Sequence, residues 1–329
     1  MDGFRSDDAW VQGAPAPAYR GIEPTALRKV NRTDSFYDPP SASHTYDRLF
    51  TGSYPVPGLD GYVPQGTATW SNWQGDDDLI LVTAYKDDHS AARIHALDAK
   101  TGKHIGSVDI LGFDGNKEYS HVGGIAVFEH KNNGKGWAFI SAKGDGNVRK
   151  YSLSKLKTAI KATTPSQETI KPDGQQTIAA NSFLTSHAPS NTLWAGNFKI
   201  TSRSSMYSYT VADNGDLTRR AGSWQVPKKT QGLVVTNDVF IYSASYDRND
   251  RSNLYVVRRG EGSSNLDTAK VSCFRAPSMS EGLTVYGNSV FLAYESGASH
   301  YRNSSNKPLN IIPNLHRTTK SWLEALPPR

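Results

Sequence analysis

The chain has 329 residues, of which 37% are hydrophobic, and 37 Lys and Arg against 31 Asp and Glu give a formal net charge of +6. This composition, with 28 glycines, is typical of a globular protein and excludes disordered, collagen-like and coiled-coil chains. The longest apolar runs, such as residues 79–82, are far shorter than the roughly 20 residues that span a bilayer, so no membrane span is predicted.

The N-terminal segment is rich in Pro, Ala, Ser and Asp and has no apolar periodicity. We therefore expect residues 1–60 to form an irregular arm and residues 61–329 to form one β-domain. The first residues lack the charged and apolar regions of a signal peptide. The single cysteine, Cys273, excludes a disulfide framework and a multi-thiolate metal site, and a cysteine-poor chain suits an oxidising compartment. We expect a secreted protein whose signal segment is absent from this sequence, with a cytoplasmic protein as the alternative.

Basic residues occur in short pairs, such as Arg219-Arg220 and Lys228-Lys229, with acidic residues between them. There is no run of five or six like charges and no aromatic nucleic-acid signature. These features predict solvated surface charge without specific nucleic-acid binding, and we expect a monomer.

Five segments share one layout, in which a small or polar residue and a glycine precede a short strand, and a turn leads to a second apolar strand. The predicted inner strands open at Gln65, Gly123, Asn181, Gln231 and Glu281. These positions are spaced by 58, 58, 50 and 50 residues. A four-stranded propeller blade has a period of about 40–50 residues.

Further strands complete most of the repeats. They are predicted over residues 93–98 and 103–110, 206–211 and 221–226, and 253–258 and 269–274. Turn sequences such as Asp213-Asn214-Gly215-Asp216 separate them. We predict a five-bladed β-propeller, with six blades as the alternative and a two-sheet sandwich as a third possibility. Residues 48–54 are expected to add a closing strand to the last blade.

In a propeller, the start of each inner strand and the end of each second strand face the same rim of the central channel. Polar and aromatic side chains there are candidates for binding a small polar substrate or a glycan. These candidates are Gln65, Tyr85, Lys143, Asn181, Asn197, Gln231 and Tyr246.

The two carboxylates at the rim, Glu281 and Glu295, are costly to bury without a partner. His121 is the only histidine at the start of an inner strand. We predict these three residues as the acid–base groups. Lys143, His121 or a divalent cation is the expected partner of the carboxylates, and Glu281 is the candidate ligand of one Ca²⁺ ion in the channel.

A structural role is the alternative for the same positions. Each opening glycine allows close backbone approach at the axis, and the neighbouring amides could hydrogen-bond between blades. The remaining histidines of the first three repeats are expected in exposed turns or outer strands. They are His89, His95, His104, His130 and His187.

The blade openings Pro64-Gln65-Gly66, His121-Val122-Gly123-Gly124, Thr230-Gln231-Gly232 and Ser280-Glu281-Gly282 resemble a family of bacterial propeller proteins that are often exported. The resemblance covers roughly residues 60–316 and implies the fold and the rim, but no particular reaction. The openings also distantly resemble gluconolactonase-like propellers, in which a Glu before a Gly ligates a divalent ion. Only Glu281 matches that pattern, and that family has six blades.

Two five-bladed enzyme classes resemble the predicted architecture. In five-bladed glycosidases acidic residues open the inner strands, whereas four of the five openings here are uncharged, which disfavours carbohydrate hydrolysis. Calcium-activated nucleotidases hold an axial calcium within a ring of side chains, which this ring of polar openings resembles in kind.

Two functions remain open from the sequence. One is an enzyme (a hydrolase, lyase or isomerase) that uses acid–base or metal-assisted chemistry at the channel mouth. The other is a non-catalytic secreted module that binds glycan, cell-wall polymer or protein through exposed aromatic residues. The candidates for such a surface are Trp70, Trp73, Tyr85, Tyr246, Tyr294 and Tyr301. A deep charged pocket favours the enzyme, and a broad aromatic rim favours the module.

Overall fold

The computed structural model describes residues 44–86, 88, 90–116, 121–130, 135–141, 146–162 and 168–327. Within this part of the chain, the strands form five separate sheets, each built from consecutive strands except at its outer edge. The pairing is antiparallel apart from one short parallel pair at the edge of the first blade. The predicted five-bladed β-propeller is confirmed. The expected arm lies outside the described residues up to residue 43.

The first two blades are formed by strands β2 to β10. Blade 1 consists of β2 (Val63–Gln74), β3 (Asp77–Tyr85), β4 (Arg93–Asp98) and β5 (His104–Ile110), with β9 (Thr169–Ile170) added in parallel to β5. Blade 2 consists of β6 (Ile125–Glu129), β7 (Gly136–Ser141), β8 (Asn147–Ser152) and β10 (Gly174–Thr177). The β9 strand therefore leaves blade 2 to extend the edge of blade 1.

The remaining blades repeat the same order. Blade 3 consists of β11 (Phe183–His187), β12 (Thr192–Gly196), β13 (Ser204–Val211), β14 (Leu217–Arg219) and β15 (Trp224–Val226). Blade 4 consists of β16 (Thr230–Val235), β17 (Val239–Ala244), β18 (Ser252–Arg258) and β19 (Val271–Ala276). Blade 5 consists of β20 (Ser280–Tyr286), β21 (Ser289–Tyr294), β22 (Asn314–Thr319) and the N-terminal strand β1 (Phe50–Pro55).

Four short helices accompany the described strands. They are α1 (His44–Leu49), α2 (Leu153–Lys161), α3 (Ser299–Arg302) and α4 (Lys320–Glu324). The α2 helix buries Leu153, Leu156 and Ile160 along one face, which is the i, i+3, i+7 spacing of an amphipathic helix. No helix among the described residues is long and apolar enough to cross a membrane.

The inner strands contact one another in the circular order β2, β6, β11, β16, β20 and back to β2. At these contacts, glycines face the backbone of the next blade. A Cβ atom on Gly282 would lie 2.6 Å from the carbonyl oxygen of Gln65, and one on Gly232 would lie 2.5 Å from that of Glu281. Real Cβ atoms do not approach this closely. The opening glycines are therefore required for ring closure.

The N-terminal strand closes the ring by pairing antiparallel with β22, with Tyr54 opposite Leu315. The preceding helix α1 is held by a buried hydrogen-bond network. The Tyr46 hydroxyl lies 2.5 Å from the Tyr294 hydroxyl and 2.9 Å from Nδ1 of His316. Tyr46 and Phe50 also stack with centroids 4.2 Å apart, so the segment around residue 50 contributes both strand pairing and core packing.

Two histidines that the sequence places on the surface are instead buried. His95 lies on β4 with 2% of its surface exposed, and His187 ends the inner strand β11 with 5% exposed. Both are enclosed because the short connecting turns of neighbouring segments pack against them, a contact that strand periodicity does not show.

We predict that Gly282→Ala destabilises the protein by about 1–3 kcal/mol, because the added methyl would overlap the backbone of blade 1. Chemical denaturation should show this as a lower midpoint. Gly61→Ala is the matched control, since its Cβ would meet only the flexible end of Lys86, and it should change stability by less than about 1 kcal/mol. Equal stability of the two variants would contradict the close approach at the axis.

We also predict that the free energy of unfolding falls as the pH is lowered from 6.5 towards 4. Burial lowers the pKa of His316 from 6.5 to about 4, so in this range the unfolded state binds more protons than the folded state. The loss should be on the order of 3 kcal/mol at the acid end. Urea unfolding of His316→Gln should show a shallower pH dependence, whereas His300→Gln, at an exposed position on α3, should keep that of the parent protein.

Candidate functional site at the channel rim

Three of the five inner strands begin with a β-bulge at the same position. The pairing register shifts between Pro64 and Thr67 in β2, between Thr230 and Gly232 in β16, and between Ser280 and Leu283 in β20. The bulged segments contain Gln65, Gln231 and Glu281. A bulge bends its strand and redirects a side chain, so these three residues hold equivalent positions at one end of the channel.

Hydroxyl side chains of the second strands stabilise these openings. Thr83 Oγ1 accepts a hydrogen bond from Gly66 N at 3.0 Å and donates to the carbonyl oxygen of Val122 in the next blade at 2.8 Å. Ser243 Oγ lies 2.6 Å from Ser280 Oγ, which links blades 4 and 5. Sequence reasoning missed these residues, although a Thr or Ser near the end of an apolar second strand is a visible signal.

The two carboxyl groups lie close together in different environments. Glu281 has 2% of its surface exposed, whereas Glu295, just after β21, is half-buried. Burial, followed by the negative charge of Glu295, raises the pKa of Glu281 well above its usual value. Both causes favour the neutral, proton-carrying form of the Glu281 carboxyl.

Glu295 is positioned by neighbouring blades. Gln65 Nε2 donates a hydrogen bond to Glu295 Oε1 at 2.5 Å and another to the carbonyl oxygen of Pro64 at 2.9 Å. The Glu295 backbone N–H donates to the carbonyl oxygen of Met279 at 3.0 Å. An amide donor favours the ionised form of the carboxylate that accepts its hydrogen bond. The structure thus brings together Gln65, Glu281 and Glu295.

Aromatic side chains continue the rim from this acidic pair. The ring centroids of Tyr85 and His121 lie 4.4 Å apart, and the Tyr85 hydroxyl lies 3.4 Å from that of Tyr301. The Arg248 guanidinium lies 5.0 Å from the centroid of the Tyr301 ring. His121 is exposed to solvent. Tyr85 and His121 therefore form one side of the rim, where blades 1 and 2 meet.

The long connection after Glu295 crosses this rim and is tied to blades on both sides. Ser299 N donates to the carbonyl oxygen of Leu59 at 2.7 Å, and Arg302 forms an ion pair with Asp60. On the other side, Leu309 N donates to the carbonyl oxygen of Arg248 at 2.7 Å. This segment, residues 296–313, therefore links the turn before β2 to the β17–β18 connection of blade 4.

The amides of blade 3 bond to backbone groups. Asn181 Nδ2 donates to the carbonyl oxygen of Asn147 in blade 2 at 3.0 Å, and Asn197 Nδ2 donates to that of Ala179 at 3.3 Å. These contacts correspond to the structural alternative for these two residues. Gln231 is half-buried at its bulge, and Lys143 lies outside the described residues.

The expected aromatic surface is mostly core. Trp70, Trp73 and Tyr294 have 7% or less of their surface exposed, because they pack between blades. Tyr246 is 54% exposed, with Lys229 Nζ 5.2 Å from its ring centroid. The exposure expected for Trp70, Trp73 and Tyr294 is therefore wrong.

A calcium site needs six to eight oxygen ligands. The described residues contain no group of three or more His, Cys, Asp or Glu side chains placed to hold a metal ion. Glu281 and Glu295, with amide oxygens beside them, are fewer ligands than Ca²⁺ requires. The described residues thus do not by themselves fit the expected ion.

No protein family matches the sequence, and no curated protein is significantly similar to it. Among solved structures, similarity is found to a GH43 glycoside hydrolase engineered for endo-xylanase and exo-arabinofuranosidase activity, at 7% identity and a TM-score of 0.45, over 74% of this chain and 50% of that one. An α-L-arabinanase from Penicillium chrysogenum in complex with arabinobiose has 11% identity and a TM-score of 0.36, over 78% of this chain and 80% of that one. The Dos1 propeller has 10% identity and a TM-score of 0.31, over 84% of this chain and 68% of that one. This chain spans half the length of the first of these structures.

We predict that Glu281→Gln becomes more stable relative to the parent protein as the pH rises from 5 to 8. A carboxyl with a raised pKa stabilises the fold only while it is protonated, so the parent protein loses stability over this range. The neutral amide does not titrate, and the difference should be about 1.4 kcal/mol for each unit by which the pKa is raised. Thermal melts across this range measure the effect. Glu261→Gln, at an exposed site, should track the parent protein, and parallel behaviour of Glu281→Gln would contradict the raised pKa.

Proposed function

We propose that the protein is an enzyme that acts on a small polar substrate or a glycan at the channel mouth by acid–base chemistry. Glu281 is the proton donor and Glu295 is the proton acceptor. The observation that carries this proposal is the buried carboxyl of Glu281 beside a second carboxylate, at the bulge that opens the inner strand β20. Two neighbouring carboxyl groups in unlike environments are a recurrent basis for separate acid and base roles.

The assignment of roles follows from the surroundings. Glu281 is neutral because burial and the charge of Glu295 disfavour its ionisation. Glu295 is more exposed and accepts the amide hydrogen bond of Gln65, which orients it and favours its charge. Gln65 is a positioning residue in this scheme, since it acts through Glu295. The exposed His121 lies next to Tyr85 on the neighbouring side, where it can contact substrate.

A hydrolytic reaction illustrates the proton balance. Glu295 removes a proton from water as its oxygen attacks the electrophilic carbon, while Glu281 gives its proton to the leaving oxygen as the old bond breaks. A second proton exchange with solvent restores both groups. A lyase or an isomerase would use the same pair, with Glu295 removing a proton from carbon and Glu281 donating one to oxygen.

The non-catalytic module has less support at this site. It needs a wide aromatic surface, and the aromatic candidates are largely buried. The neighbouring carboxyl groups of Glu281 and Glu295, with Gln65 bonded to the second, favour the enzyme. We further propose a monomer and an exported location, the latter because the single cysteine, Cys273, is buried and leaves no exposed thiol among the described residues.

The test is turnover of a panel of chromogenic glycosides, esters and lactones across pH 4–9. With any substrate that is turned over, Glu281→Gln and Glu295→Gln should each lower kcat/KM by about 10²–10⁴-fold, the usual range for a general acid or base. The parent protein should give a bell-shaped pH profile, and each variant should lose one limb of it. Glu261→Gln serves as the control and should retain full activity. Turnover unaffected by either channel variant would overturn the proposal.

A further inference from the structure

A second cluster of reactive side chains lies at the opposite end of the inner strands. Glu281 is at the start of β20, whereas His187 is the last residue of β11 and Asn237 lies in the turn between β16 and β17. Because the inner strands run side by side around the ring, their starts and ends face opposite mouths. This cluster is therefore separate from the acidic pair.

The cluster has the connectivity of a nucleophile, a base and an orienting group. Ser190 Oγ lies 2.6 Å from His187 Nδ1, and His187 Nε2 lies 3.1 Å from Asn237 Oδ1. When Nε2–H donates to the amide oxygen, the imidazole is fixed in the tautomer whose Nδ1 accepts a proton. Such an arrangement is recognised by geometry and roles rather than by sequence position.

Accessibility suits the three roles. Ser190 is exposed, in the short 3₁₀ turn Ala188–Ser190 that joins β11 to β12, while His187 has 5% of its surface exposed. Burial, followed by the charge of Arg259, lowers the pKa of His187, so the imidazole is neutral and basic at pH 7. A solvent-facing hydroxyl therefore contacts a shielded base.

Thr192 competes for the Ser190 hydrogen and also links the site to a cation. Ser190 Oγ donates to Thr192 Oγ1 at 2.8 Å, and Thr192 Oγ1 donates its own hydrogen to the carbonyl oxygen of Ser190 at 2.9 Å. Arg220 Nη1 donates to Thr192 Oγ1 at 3.3 Å. Proton transfer to His187 therefore requires the Ser190 hydroxyl to turn from Thr192 towards Nδ1. The hydroxyl has one hydrogen, and its shorter contact is the one to His187. Arg220 thus contacts this cluster through Thr192.

We infer that Ser190 is a nucleophile activated by His187 and positioned through Asn237, and that this site accepts acyl groups from small esters. Ser190 Oγ bonds to the ester carbon while its proton passes to His187 Nδ1. The bond from carbon to the alcohol oxygen then breaks, and the alcohol leaves with that proton. Water next attacks the acyl-serine, gives its proton to His187, and releases the carboxylic acid as Ser190 recovers the proton.

The experiment uses the full chain and a fluorophosphonate probe, read out by intact mass and peptide mapping. Attack of Ser190 Oγ on phosphorus releases fluoride, so labelling needs the nucleophile and the base but no natural substrate. The expected result is a single adduct on Ser190, absent in Ser190→Ala and formed at least about 100-fold more slowly in His187→Gln. Ser223→Ala, at an exposed serine of the same blade, should label like the parent protein.

Asn237 is tested as a positioning residue by rescue. Asn237→Leu should slow labelling about tenfold, and Asn237→Asp, which keeps an acceptor for Nε2–H, should label at least as fast as the parent protein. Thermal melts identify any variant that is unfolded. If His187→Gln is unfolded, the two substitutions at the exposed residue 237 still test the role of His187. The inference is overturned if Ser190 of the parent protein is not modified, or if labelling is insensitive to both His187 and Asn237. That result would make the cluster a cap of the β11–β12 turn.

Discussion

The close approach of the five inner strands at the axis is the constraint on which the rest of this structure depends. At Gly124, Gly232 and Gly282 even a methyl group would overlap the backbone of the next blade. At these three positions the strands approach closely because a side chain is missing. In β2, β16 and β20 the residue before the opening glycine lies in a bulge at the end of the channel. The same residues that allow the ring to close therefore also shape the rim. For this reason Gln65, Gln231 and Glu281 hold equivalent positions.

The acidic pair shows how this geometry brings two ionisable groups together. Bringing blade 5 against blade 1 buries Glu281 and places Glu295 within hydrogen-bond distance of Gln65. Burying a carboxyl beside another carboxylate opposes folding. Ring closure depends on the neighbouring glycine and does not require a carboxyl at position 281. A local conflict of this kind within an otherwise consistent repeat is characteristic of a functional site. The amides of blade 3, by contrast, are satisfied by backbone groups and have a structural explanation.

The two ends of the propeller are built differently. The end with Glu281 carries long connections, including residues 296–313, which are anchored to Asp60 and Arg248. At the other end, the short turn between β11 and β12 places an exposed serine against a buried histidine. Binding and catalytic residues concentrate in loops that a rigid scaffold positions, and the two candidate sites lie at opposite ends of the inner strands.

Local pattern was enough to predict the five blades, because four of the five repeats combine an opening glycine with apolar strands and turns at a spacing of 50–58 residues. It also indicated Glu281 and Glu295, since carboxylates beside apolar strands are unusual. Burial depended on long-range packing, so the exposed positions expected for Trp70, Tyr294 and His187 were wrong. The link from Gln65 to Glu295 spans 230 residues, and that from His187 to Asn237 spans 50. The amino-acid sequence therefore determined the repeat and its chemically unusual residues. Only the closed ring decided which of these residues meet, because their contacts join blades that are far apart in the sequence.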